Sequence, residues 1–161
     1  MTDRSQVNTC IWLEKDGLEA ARFYTSLLPN SEVKDEHRFE HMVTGEDEGV
    51  QIIEFTLAGA PFSILQAGPH QEHNDMMSIA VTTKDQAETD RLWNALTANG
   101  GREVQCGWLK DRFGVPWQIT PQRIGEFLDS GEKAKINAML KAMHPMKKLD
   151  VAALEAAYDA A

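Results

Sequence analysis

The sequence has no long apolar run and only two cysteines. No apolar stretch approaches the ~18 residues that a transmembrane helix needs, so we expect no membrane span and no membrane partner. The start of the chain, Met1 to Gln6, is polar and lacks the apolar core of a signal peptide. Cys10 and Cys106 are too few for the disulfide framework of a small secreted protein. These absences predict a cytoplasmic protein whose two thiols are buried.

The sequence also lacks blocks of like charge and is poor in positive charge. Its formal net charge is −9, with 16 Lys and Arg against 25 Asp and Glu. Because an acidic surface repels phosphate backbones, we expect no nucleic-acid partner. What the sequence does contain is 42% apolar residues over 161 positions, enough for one domain or for two small halves that share a core.

Strand and helix patterns follow one another in the same order twice. In the first half, about 7–67, they predict a strand at Thr9 to Leu13, a helix from Gly17 to Leu28, and strands at Glu32 to Arg38, Val50 to Leu57 and Phe62 to Gln66. In the second half, about 76–121, they predict a strand at Met77 to Thr82, a helix from Asp85 to Ala98, and strands at Arg102 to Gln105, Gly107 to Lys110 and Val115 to Thr120. A tail at about 122–161 is helical, over Ile124 to Leu128, Glu132 to Met143 and Val151 to Tyr158. The expected fold is a single α+β domain over 1–161, with two tandem βαβββ modules and C-terminal helices.

The two modules match each other in register. An offset of 69 residues maps Asp16 onto Asp85, and each aspartate is expected to cap the helix that follows it. An offset of 55 maps Gly59 to Ile64 onto Gly114 to Ile119, since both segments have the pattern Gly-x-Pro-aromatic-polar-Ile. Matches at both ends of the module, in the same order, indicate an internal duplication.

Several segments carry a resemblance to a known family. They are Trp12, Gly17 to Tyr24, Pro29 to Ser31, Cys106 to Ile119 and Met139 to Val151. With these segments, the chain resembles the vicinal oxygen chelate superfamily, which has the glyoxalase fold. More narrowly, it is similar to the PhnB-like branch, often labelled 3-demethylubiquinone methyltransferase-like. The resemblance covers nearly the whole chain, and the stretch from Cys106 is its most specific part.

The resemblance implies that the curved sheets of the two modules form a cup. In metal-dependent members, four ligands from the first and fourth strands of each module line this cup, usually His, Glu or Gln. The repeat offsets place those positions here at Thr9, Ser63, Ser78 and Gln118. None is a histidine or a carboxylate, so we expect neither a bound metal nor another cofactor. We expect these four residues, with Trp108, to bind an unidentified small molecule.

Two histidine pairs have spacings that could present metal ligands on a helix. His37 and His41 are four residues apart, and His70 and His73 are three apart. The first pair lies in a predicted strand or loop and the second in the predicted linker, so we interpret all four as solvated surface residues.

A cysteine and two acids remain as other candidates. Cys106 could be a nucleophile assisted by Lys110 or a buried structural thiol, and the second interpretation is favoured. Glu54 and Asp111 are the only acids near the cup strands, and neither can be assigned as a general base without geometry.

Three function hypotheses follow. The first is a metal-free module that binds a small, partly aromatic ligand. The second is an enzyme of unknown reaction, and the third is a structural role with a filled cup. Methyl transfer is not expected, because no glycine-rich turn joins a strand to a helix in the way that nucleotide-like methyl donors require. We also expect a homodimer, since the apolar faces of the helical tail need a partner surface.

Overall fold

The chain folds as two compact units, Met1–Gln71 and Glu72–Ala161. The computed structural model describes residues 6–39 and 49–161. The boundary between the units falls in the polar segment that separates the two predicted modules.

The first unit contains one helix and a four-stranded mixed sheet, called sheet one below. Its elements are β1 (Thr9–Leu13), α1 (Gly17–Leu27), β2 (Glu32–Phe39), β3 (Val50–Leu57) and β4 (Ala60–Gln66). The strand order is β1-β4-β3-β2, with β1 parallel to β4 and the other neighbours antiparallel. This is the predicted βαβββ module, and the bounds of β1 and β3 agree with those expected from the sequence.

The second unit repeats this arrangement in sheet two. Its elements are β5 (Ile79–Thr83), α2 (Gln86–Thr97), β6 (Arg102–Glu103), β7 (Trp108–Lys110) and β8 (Pro116–Pro121). The order β5-β8-β7-β6, again with one parallel pair, matches that of sheet one. The predicted α+β class with tandem βαβββ modules is therefore confirmed.

Three helices follow in the second unit, as predicted. They are α3 (Gln122–Asp129), α4 (Lys133–Met143) and α5 (Val151–Asp159). They share a small apolar cluster formed by Ile124, Phe127, Met139, Leu149 and Leu154. The segment between α4 and α5 also pairs with the β6–β7 turn, because the amides of Cys106 and Gly107 donate to the carbonyls of Met146 and Lys147. Across the parts of the chain that the structure describes, no helix is both long and apolar enough to cross a membrane.

Close packing of α1 on its sheet depends on Gly17. A Cβ atom at this position would lie 3.0 Å from both Ile53 Cδ1 and Ile64 Cγ2. Instead, the Gly17 amide donates to Gln66 Oε1 at 2.8 Å. The first turn of α1 is therefore capped by a side chain of β4, and Ile53, Ile64 and Gln66 mark the helix-facing side of sheet one.

The connection between strand and helix differs by one residue between the modules. Three residues separate β1 from α1, whereas two separate β5 from α2. Asp85 caps α2 as predicted, since its side chain accepts from the Glu88 amide at 2.8 Å. Asp16 adopts a left-handed backbone with φ 60 and makes no side-chain cap. The prediction that the Asp16 side chain caps α1 is wrong, because its backbone is left-handed and Gln66 bonds the first amide of the helix instead.

Candidate functional site

The two faces of sheet two differ in what covers them. Leu109, Trp117 and Ile119 are fully buried, as are the residues of α2 that point toward the sheet. Because residues alternate between faces along a strand, Gln118 points to the other side. Its register partners on β7 and β5, Trp108 and Ala80, lie on that side with it. We call this side the open face of sheet two.

Three of the predicted site residues come together on this face. The Gln118 side-chain amide donates to Ser78 Oγ at 2.8 Å. Trp108 lies directly opposite Gln118 in the antiparallel register. Ser78, Trp108 and Gln118 are all partly exposed. The structure thus places a neutral hydrogen-bonding pair beside an aromatic ring.

Sheet one carries a similar pair on its own open face, the side away from α1. Ser63 pairs with Cys10 on β1 and with Glu54 on β3, so these three side chains share that face. The Asn8 side-chain amide donates to Ser63 Oγ at 3.0 Å. Asn8 therefore occupies the position in module one that Ser78 occupies in module two. Asn8 donates to its partner, whereas Ser78 accepts from its partner.

Thr9 lies on the opposite side of sheet one from Ser63. Its register partner is Phe62, which stacks on Phe55 with ring centroids 5.5 Å apart. The Phe55 ring in turn lies 6.3 Å from Tyr24 of α1. The prediction that Thr9 shares a face with Ser63 is therefore wrong.

The correct offset between β1 and β5 is 70 residues, which maps Asn8 onto Ser78. The helices keep the offset of 69 because the connection after β1 is one residue longer. Strand alternation in the sequence could have identified Asn8. Thr9, Ile11 and Leu13 are alternate residues that share the apolar side of the strand, so Asn8 lies on the other side. Whether any of these residues binds a ligand remains a prediction.

The four mapped polar side chains on the two open faces are poor ligands for a transition metal. Asn8, Ser63, Ser78 and Gln118 offer hydroxyl and amide groups, whereas such metals prefer imidazole, thiolate or carboxylate ligands. Within residues 6–39 and 49–161, no group of three or more His, Cys, Asp or Glu side chains is arranged to hold a metal ion. These four side chains therefore do not fit a transition metal. Cys10 and Glu54 on the open face of sheet one are better ligand types, but no third such side chain joins them among the described residues.

The histidines make unrelated contacts. His37 Nε2 lies 3.4 Å from Asp35 Oδ2, and His41 falls outside the described residues. His70 packs edge-on against Trp12 with ring centroids 4.5 Å apart. The backbone carbonyl of His73 accepts from Lys110 Nζ.

Asp111 has a structural role. Its side chain is 3% exposed. One carboxylate oxygen accepts from the amides of Phe113 and Val115 at 2.9 and 3.0 Å. The other accepts from the Trp117 indole at 2.8 Å. These bonds fix the turn between β7 and β8 and leave Asp111 poorly placed to act as a general base. Glu54 lies instead on the open face of sheet one, beside Ser63.

The two cysteines are free, and neither is buried. Cys10 is exposed on the open face of sheet one, and Cys106 is partly exposed. Cys106 occupies a left-handed position of the β6–β7 turn, with φ 57 and its thiol 3.4 Å from the His144 carbonyl. The expectation of two buried thiols is wrong because one lies in a turn and the other on the polar side of a strand.

Comparisons with known proteins give the family. The family model described as 3-demethylubiquinone-9 3-methyltransferase matches residues 5–120. The PhnB protein of Bacillus cereus, which carries the same methyltransferase description, is 28% identical. It covers 73% of this chain and 99% of its own, with a TM-score of 0.64. No curated protein matches the sequence.

Two further solved structures share the fold alone. A protein from Pseudomonas aeruginosa is 20% identical, with coverage of 73% of this chain and 98% of its own and a TM-score of 0.57. The fosfomycin resistance protein FosX of Listeria monocytogenes is 15% identical, with coverage of 80% and 98% and a TM-score of 0.56. Since the family model spans well over half of the residues, the chain belongs to the PhnB-like family described as 3-demethylubiquinone-9 3-methyltransferase.

Proposed function

We propose that this protein binds a small, partly aromatic molecule on the open face of sheet two, without a transition metal. The observation that carries the proposal is the hydrogen bond from Gln118 to Ser78, beside the ring of Trp108. In this bond the amide nitrogen uses one of its two N–H groups and its oxygen remains an acceptor. The pair can therefore both donate to a ligand and accept from it.

The surroundings of the pair support binding. Small-molecule sites combine apolar or aromatic surface with a few polar groups that fix orientation. Trp108 supplies a flat apolar surface, and Ser78 and Gln118 supply the polar groups at one edge of it. None of these three side chains is ionised, so a ligand of any charge can approach them.

Methyl transfer is not proposed, although the family description names it. The connection between β5 and α2 consists of Lys84 and Asp85, and that between β1 and α1 has no glycine before the helix. Such turns lack the close backbone approach that a glycine-rich loop gives to a nucleotide-like cofactor.

An enzyme of unknown reaction is the second candidate function. Glu54 favours it, because this carboxylate lies opposite Ser63 on the open face of sheet one, where it could move a proton. If a bound compound is converted to product by the protein and not by Glu54→Gln, the second candidate replaces the first.

We also propose that the protein acts in the cytoplasm as a homodimer. The two free cysteines support a reducing compartment, since neither is paired within the described ranges.

The test of the binding proposal is the variant Gln118→Ala. Benzamide is a suitable probe because it combines an aromatic ring with one donor and one acceptor group. Removing one ligand hydrogen bond costs about 1 kcal/mol or somewhat more, so the affinity for benzamide should fall roughly five-fold or more. Isothermal titration calorimetry measures the change.

Gln122→Ala is the matched control, because Gln122 is exposed on α3 in the same unit. It should leave the affinity unchanged. Equal benzamide affinity in Gln118→Ala and the parent protein would refute the proposed site.

A further inference from the structure

Lys110 is a nearly buried cation on the open face of sheet two. Its side chain is only 12% exposed. It lies two residues from Trp108 along β7, opposite Pro116 of β8. Alternate residues of a strand point to the same side, so Lys110 shares the open face with Trp108 and lies about 7 Å further along it.

The segment before β5 holds the Lys110 ammonium. Lys110 Nζ donates to the His73 carbonyl at 3.0 Å and lies 3.2 Å from Asp75 Oδ1. An ammonium has three N–H groups, and these contacts use two of them. The Asp75 side chain is 55% exposed, and ion pairs of such exposed groups are weak. A ligand anion can therefore take the third N–H group or replace Asp75.

A second cation lies on the same face as Lys110. Arg102 of β6 lies opposite Lys110 in the register and on the same side of the sheet. Ser78 and Gln118 are neutral, and the Asp75 carboxylate contacts Lys110 from the segment before β5. Lys110 and Arg102 thus outnumber this one carboxylate, although the chain as a whole carries a net charge of −9.

We propose that the ligand carries an anionic group, a carboxylate or a phosphoryl group, which binds the Lys110 ammonium in exchange for Asp75. The aromatic part of the ligand then lies against Trp108, and its polar edge reaches Gln118. This inference rests on the proposed function and adds the chemical class of the ligand.

Three probes of similar shape test it on the full chain. Benzoate and phenyl phosphate are anions, and benzamide is their neutral counterpart. Binding is followed by the indole N–H resonance of Trp108, assigned with Trp108→Phe. The parent protein should bind both anions at least three-fold more tightly than benzamide. In Asp75→Asn this preference should rise to about ten-fold, because the competing carboxylate is gone.

Lys110→Met keeps the apolar stem of the side chain and removes the charge, so it should abolish the preference for the anions. Lys141→Met makes the same change at an exposed site on α4 and should leave the preference intact. Asp75 is exposed, so Asp75→Asn remains decisive even if Lys110→Met impairs folding.

Two outcomes would contradict the inference, and they are distinguishable. If benzamide and the anions bind equally and neither Lys110→Met nor Asp75→Asn changes their ratio, the anion site is refuted while the proposed function stands. If no probe moves the Trp108 resonance, the proposed function and the anion site are both refuted.

Discussion

Trp93 and Glu103 form a contact between the buried core and the surface of the second unit. Trp93 is 2% exposed, and its indole N–H donates to Glu103 Oε1 at 2.9 Å. This hydrogen bond holds the pKa of Glu103 below its usual range, and the nearby Lys147 ammonium lowers the pKa further. Because the folded-state pKa is lowered, the bond stabilises the fold above the unfolded-state pKa. That contribution is lost as the pH falls through the folded-state pKa.

Trp93→Phe should therefore raise the pKa of Glu103 toward its ordinary value, because it removes the indole donor. Carbon-detected NMR titration of the Glu103 carboxyl group measures the change. Lys147→Met removes the lesser contribution and should raise the pKa by a smaller amount. A larger rise in Lys147→Met than in Trp93→Phe would show that the ion pair, and not the indole, controls this carboxyl group.

Single residues also show where sequence-based reasoning stops. Gln118 could be predicted because strand alternation between Trp117 and Ile119 assigns its side of the sheet. Thr9 was assigned from the repeat offset of its helix, and one extra residue before that helix invalidates the offset. Lys110 was considered only beside Cys106, because its contacts with His73 and Asp75 join residues far apart in the sequence.

At the scale of elements, the two module helices look alike in sequence and begin differently. Asp85 accepts a hydrogen bond from the Glu88 amide, whereas the first amide of α1 is bonded by Gln66. Asp85→Ala should lower the free energy of unfolding by about 1 kcal/mol, the usual effect of removing a cap. Asp16→Gly should change it by no more than about 0.5 kcal/mol, since its left-handed backbone suits glycine and its side chain caps nothing.

Urea denaturation of both variants measures this difference. A larger loss of stability in Asp16→Gly than in Asp85→Ala would contradict the assignment of the two caps.

The strands and helices themselves were largely predictable. Val50–Leu57 alternates buried and partly exposed residues along its whole length, so both of its ends could be assigned. β6 is shorter than expected, with two residues, because the β6–β7 turn takes up Gln105 to Gly107. In this turn Cys106 has a left-handed backbone conformation, which is uncommon for residues other than glycine. The sequence pattern around Cys106 did not indicate it.

At the scale of the whole molecule, the edges of the two sheets bear on the proposed homodimer. β1 and β2 are the outer strands of sheet one, and β5 and β6 are those of sheet two. β2 carries charges from Lys34 to Arg38, which protect an edge against pairing. β1 and β5 carry no charged residue, so their edges lack this protection and could pair with a second copy of the chain.

We expect light scattering at micromolar concentration to give twice the chain mass of 18.0 kDa. The chain should remain dimeric on ten-fold dilution if these edges are buried in the dimer. A mass of one chain at micromolar concentration would contradict the homodimer.

We propose that ligand binding on the open face of sheet two needs no metal. The most direct test is one benzamide titration, followed by the side-chain amide resonances of Gln118, first in EDTA and then with equimolar Zn²⁺. We expect these resonances to shift in both conditions with dissociation constants equal within about two-fold, because Ser78 and Gln118 are poor ligands for zinc. Shifts that occur only after zinc is added, or no shift in either condition, would contradict it.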